Sequence, residues 1–224
     1  MGAEVIARAV GDQEWLDPIA TPLQKWVRQL FEAAGRGGRE AKNFLHGSAL
    51  GHPLHPALID LPLGAWTMAA IFDGIELASG KKRGRLADTA IKVGLIGAVG
   101  AAVAGLTDWS ETDGRAKRIG IAHGVMNLTA TGLYALSLWF RKKSRTKAIG
   151  ISMTAYAVSM SAAFLGGHLT YGEQIGVDHT ATPDATQPED FRPVIAEANL
   201  RENTPTRVEV QDTAVVLVKR GGRI

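Results

Sequence analysis

The chain has 224 residues, 46% of them hydrophobic and 21% charged, with a formal charge of +3, a pI near 9.3 and no cysteine. Without cysteine it can hold no disulfide, no thiolate metal site and no cysteine nucleophile. Its basic residues come as short blocks beside apolar runs rather than as a stripe interleaved with aromatics, a pattern of membrane flanks and not of a nucleic-acid surface.

The opening MGAEVIARAVGDQEWLDP has no basic start followed by an apolar core, so no cleavable signal peptide is expected. Residues 1–13 read as a mobile arm. From Glu14 to Ala34 the residues Leu16, Ile19, Leu23, Trp26, Val27, Leu30 and Phe31 recur near one side at helical spacing. Pro18 and Pro22 place the expected start of this amphipathic helix near Thr21. It has two possible seats: the bilayer interface, with Trp15 and Trp26 at headgroup level, or the rest of the protein or a second copy of it. Gly35 to Gly38 ends the helix. Arg39 to Leu45 then leads into HGSALGHPLHPALIDLPLGAW, residues 46–66, which holds three of the six histidines.

Four apolar segments follow, at 57–78, 86–109, 119–140 and 148–170. About 20 mainly apolar residues cross a hydrocarbon core. The third and fourth segments contain no Asp, Glu, Lys or Arg. The first carries Asp60, Asp73 and Glu76, which must sit at an interface or face inward. A soluble bundle would show a polar stripe on each helix, and the third and fourth segments offer only Ser, Thr, Asn, His and Gly for one. The expected fold is all-α: a four-transmembrane-helix antiparallel bundle with an N-terminal amphipathic helix and a short C-terminal β-hairpin tail. The domains expected are 1–45, the arm and amphipathic helix; 46–175, the membrane bundle; 176–205, a linker; and 206–224, a β segment. Gly94, Gly97, Gly100 and Gly105 mark the second segment as the tightest packing surface, and short linkers make consecutive segments antiparallel neighbours. Lys81, Lys82, Arg83 and Arg85 in the first linker, and Arg141, Lys142, Lys143, Arg145 and Lys147 in the third, place those linkers in the cytoplasm by the positive-inside rule. The localisation expected is the bacterial inner membrane, multi-pass, with the histidine face outside.

Alternating direction gathers distant residues at one end. His52 and His55 open the first segment, His123 lies early in the third and His168 late in the fourth. Asp60 and Asp108 join the same layer, and Asn127 stands one turn after His123. Ionisable groups inside a membrane bind something, pair or line a wet cavity. Histidines on different helices can meet a planar cofactor from two sides. Bis-histidine haem b, held by a pair drawn from His52, His55, His123 and His168, is the first expectation. Asp60, Asp108 and Asn127 would then orient the ligands. Two alternatives stand beside it: a non-haem metal held by histidines with Asp60 or Asp108, and a cofactor-free anchor in which the polar groups satisfy one another. The expected partners are the lipid bilayer and a redox protein, with a homodimer left open by the glycine face; no nucleic acid is expected.

The pattern GHPLHPALIDLPLGAW, with LTDW at 106–109, AHG at 122–124 and GGHL at 166–169, resembles the bacterial membrane family known as domain of unknown function 2231. The likeness covers roughly residues 45–175. It implies frequent fusion to a Rieske iron–sulfur domain, and TRVEVQDTAVVLVKRGGRI is similar to the opening strands of one. Val208, Val210, Val215, Val216 and Val218 read as a hairpin. A Rieske cluster needs two cysteines and two histidines, so no iron–sulfur cluster can form within these residues. The resemblance implies a component of a membrane oxidoreductase whose histidine layer exchanges electrons with a Rieske partner or fused domain.

Overall fold

A computed structural model describes residues 2–80, 84–177, 193–210 and 213–224. Residues 1–177 form one compact unit and 178–224 a second. The first unit contains helices α1 (Gly2–Gly11), α2 (Asp17–Ala33), α3 (Gly35–Leu45), α4 (Leu54–Ser79), α5 (Gly84–Trp109), α6 (Gly114–Arg141) and α7 (Arg145–Tyr171), with a 3-10 turn at Glu14–Leu16. The second contains strands β1 (Thr206–Val210) and β2 (Thr213–Leu217), antiparallel with Val208 opposite Val215, which agrees with the expected hairpin. Lys81, Lys82, Arg83, His179 and half of the expected linker lie outside the described residues.

The N-terminal region differs from expectation. Residues 2–11 are helical rather than a mobile arm, because Ala7 packs fully buried against Ile119 and Leu165. The helix α2 starts at Asp17, not Thr21, with Pro18 in its first turn, where a missing N–H costs no hydrogen bond. Arg39–Leu45 is part of helix α3. Pro53 caps α4 and Pro56 stands third in it, still among positions whose N–H has no intrahelical partner.

Helices α4 and α5 pack along their length as one hairpin, and α6 and α7 as another. At the end of α4 the chain turns on Gly80, which adopts φ 66° and donates its N–H to the Glu76 carbonyl. The glycine face of α5 receives α4: the indole of Trp66 fills the space at Gly94, and Leu61 and Pro62 fill that at Gly97. A central cluster joins all four helices through Trp66, Ala69, Ile91, Tyr134 and Ala155.

The two hairpins are equivalent. Buried Pro62, Trp66 and Ala69 of α4 each have a buried counterpart 68 residues later in α6: Ala130, Tyr134 and Ser137. Buried Ala87, Ala101 and Ala104 of α5 match buried Ala148, Ala162 and Leu165 of α7, each 61 residues later. The chain is thus an internal pair of two-helix units, with α4 and α6 running in the same direction about a shared axis.

Among the described residues three helices are long and apolar enough to cross a membrane: Leu54–Ser79, Arg85–Trp109 and Arg145–Tyr171. The fourth expected span, α6, is not among them. Its 28 residues suffice in length, but His123, Asn127, Thr129, Thr131, Tyr134 and Ser137 dilute its hydropathy.

Candidate functional site

The axis between the hairpins carries three pairs of counterparts. At one end, His55 of α4 and His123 of α6 stand edge to face with ring centroids 6.2 Å apart. In the middle, Trp66 stacks on Tyr134 with centroids 4.3 Å apart. At the other end, Asp73 pairs with Arg141 through two contacts, 2.9 Å and 2.5 Å. Every one of these pairs has the same offset of 68 residues.

Each histidine is held in the same way. His55 Nδ1 lies 2.8 Å from the Ala101 carbonyl oxygen, and its ring lies over Gly105, four residues on. His123 Nδ1 lies 2.8 Å from the Ala162 carbonyl oxygen, and its ring lies over Gly166, again four residues on. A carbonyl can only accept, so in both rings Nδ1 carries the hydrogen and Nε2 is left as the basic atom. A Cβ at Gly105 or Gly166 would stand 2.8 Å from the imidazole; both glycines therefore make room for the ring. Asn127 Nδ2 donates to the His123 carbonyl oxygen at 3.0 Å and lies 3.1 Å from His123 Nε2.

Asp108, at the end of α5, belongs to this end of the bundle. It pairs with His46 Nδ1 at 2.7 Å and lies within electrostatic reach of His55. His46 is thus a member of the histidine cluster that sequence reasoning passed over. The available signal was its place six residues before HPLHP; the Gly47–Gly51 loop is what folds it back onto Asp108.

The other expected site residues lie elsewhere. His52 is exposed and turned to its own neighbour, the Pro53 carbonyl. Asp60 is on the exposed side of α4 and makes no hydrogen bond among the described residues. His168 pairs loosely with Glu173 at 3.5 Å and lines an open cavity of about 420 Å³ with Glu4, Phe164 and Tyr171. Among the described residues no cluster of three or more His, Asp or Glu is placed to hold a metal ion.

Charges missed as a site close the far end of the axis. Asp73 is fully buried and accepts from Arg141 and from Ser152 Oγ at 2.7 Å. Arg145 reaches Glu76 at 3.0 Å and Asp88 at 2.9 Å. All four long helices contribute: Asp73 and Glu76 of α4 face inward, one of the two outcomes the sequence allowed, while Asp60 stays on the exposed side.

A helical bundle with, among the described residues, three helices long and apolar enough to cross a membrane has the makings of a membrane protein. The chain belongs to the family described as predicted membrane protein (DUF2231), whose model matches residues 51–180. No curated protein and no solved structure matches it.

Proposed function

We propose that the bundle crosses the bilayer four times and is an electron-transfer module that binds haem b between His55 and His123. The observation that carries this is the pair itself. Two imidazoles from equivalent positions face each other across an axis, both with Nδ1 tied to a backbone carbonyl and Nε2 basic. His55 and His123 would be the two residues that hold the group, and the 6.2 Å between their ring centres supports that reading. The carbonyl bonds fix ring orientation and raise ligand basicity. Asn127 keeps the His123 carbonyl as an acceptor when Nε2 is engaged. Haem b, when bound, would supply a one-electron couple.

The fourth span rests on α6 itself. Its Val125 and Leu128 are more than half exposed, which suits contact with lipid. His123 and Arg141 are 18 residues apart, or about 27 Å of helix, close to the roughly 30 Å of a hydrocarbon core. Trp139, exposed beside the charged end with Lys143 Nζ 3.5 Å over its ring, is placed as an interfacial anchor. We place the charged end in the cytoplasm of a bacterial inner membrane and the histidine end outside, where a Rieske-type domain or other redox protein would exchange electrons.

The test is haem and iron content of the protein purified from haem-replete membranes. One haem per chain is expected. A colourless preparation that takes up no added haemin contradicts the proposal and leaves the cofactor-free anchor.

A further inference from the structure

Helix α2 has three faces, not two. Ala20, Gln24 and Val27 are buried. Lys25, Gln29 and Glu32 are exposed and polar. Between them lies a third face, apolar and uncovered: Ile19 is 56% exposed, Trp26 55% and Leu30 52%, with Leu23 beside them. At about 100° per residue these four fall within about 60° of arc, about a quarter-turn from the buried face. Trp15, in the turn just before, is exposed on the same approach.

The level of this helix is fixed by polar bonds to the chain that leaves α5. Gln24 Nε2 donates to the Trp109 and Thr112 carbonyls, both at 2.8 Å, and Arg28 donates to the Ser110 carbonyl at 2.5 Å. Asp17 is gripped by Arg118 at 2.7 Å and Lys117 at 3.0 Å, at the start of α6. So α2 lies against the turn where one span ends and the next begins. That is the boundary between hydrocarbon and headgroups.

We propose that the uncovered face of α2 is immersed in the lipid leaflet on the histidine side, with Trp15 and Trp26 at headgroup level and Lys25 directed to water. The occupant is lipid because the face is apolar and uncovered, the helix is bonded to the turn between two long helices, and tryptophan favours the level where spans emerge. The helix then fixes the depth of the imidazole pair below the surface. This inference rests on the reading of the bundle as membrane-spanning and not on haem.

The chain has no cysteine, so single nitroxide labels are clean probes. We would label Ile19→Cys, Leu30→Cys, Lys25→Cys and Leu128→Cys in the full chain, in vesicles of phosphatidylethanolamine and phosphatidylglycerol. Collision with oxygen and with a water-soluble nickel chelate is then compared. At Ile19 and Leu30 the ratio of oxygen to nickel collision is expected to be severalfold that at Lys25 and to approach that at Leu128. A water-like ratio at Ile19 and Leu30 beside a lipid-like Leu128 overturns the proposal alone. A water-like Leu128 overturns the membrane-spanning reading with it. Shielding of Ile19 from both probes, with dipolar coupling between chains, assigns the face to a second copy and also overturns it.

Discussion

Trp66 lies face to face with Tyr134, ring centroids 4.3 Å apart and planes 21° from parallel, and each stands eleven residues after the histidine of its own hairpin. The stack is the midpoint of an axis on which equivalent residues meet three times, as imidazole pair, aromatic pair and ion pair. Layers of this kind hold two similar hairpins in one register, since sliding either by a turn would break all three contacts at once.

The stack depends on a glycine. A Cβ at Gly94 would stand 2.2 Å from Trp66 Nε1. Gly94→Ala must push the indole off Tyr134 and is expected to cost about 1–3 kcal/mol, the usual penalty for overpacking. Gly64, on the exposed side of α4, has nothing within 4 Å of its added Cβ. Gly64→Ala is expected to be neutral or to gain up to about 1 kcal/mol of helix propensity. Unfolding of the two variants in the same detergent checks the contrast.

The charged end makes a second prediction. Each partner keeps a second contact when the other is removed, Asp88 at 2.9 Å for Arg141 and Arg145 at 3.3 Å for Asp73, so Asp73→Leu or Arg141→Leu is expected to destabilise by less than the roughly 3–5 kcal/mol of an isolated buried pair. The double variant Asp73→Leu with Arg141→Leu should lose less than the sum of the two single variants, because the direct contact between them is counted once. A double-variant loss equal to that sum would show that the pair is not the unit of stability.

The anchor of α2 is sensitive to acid. The Arg118 guanidinium, with Lys117, holds the Asp17 carboxyl down at about 2, against about 3.9 for a free aspartate. A depressed carboxyl contributes stability that is complete above about pH 4 and is lost as pH falls through about 2. Asp17→Asn is therefore expected to lower the melting temperature at neutral pH, with the gap to the native sequence closing between pH 4 and 2. A gap that does not change with pH contradicts the assignment.

Much of this arrangement was legible in the sequence, and the limits have physical causes. The prolines and histidines of HPLHP and the glycines of α5 announced their helices, because each residue type does something a generic apolar residue cannot. The convergence of His55, His123 and Asp108 followed from alternating direction alone. The pairing of His46 with Asp108 did not, since it depends on how the loop at 47–51 folds back. Helix α1 was missed because it packs through small residues, Ala7 and Gly11, with Val10 beside them, and these carry no strong pattern. The equivalence of the hairpins was hidden because buried positions are matched in size rather than identity. Ala69 answers Ser137, and Asp73 answers a residue of opposite charge. Helix α6 falls short as a span on hydropathy for a related reason: of its polar side chains, His123, Tyr134 and Ser137 serve the packing between helices.

The central claim is that His55 and His123, and no other histidines, grip a haem. The reduced-minus-oxidised absorption spectrum of the native chain, measured beside His55→Ala, His123→Ala, His52→Ala and His168→Ala, tests it most directly. A haem b difference spectrum that is lost in the first two variants and kept in the last two is predicted. A spectrum that survives loss of His55 or His123, or one that is absent from the native chain, would contradict the account.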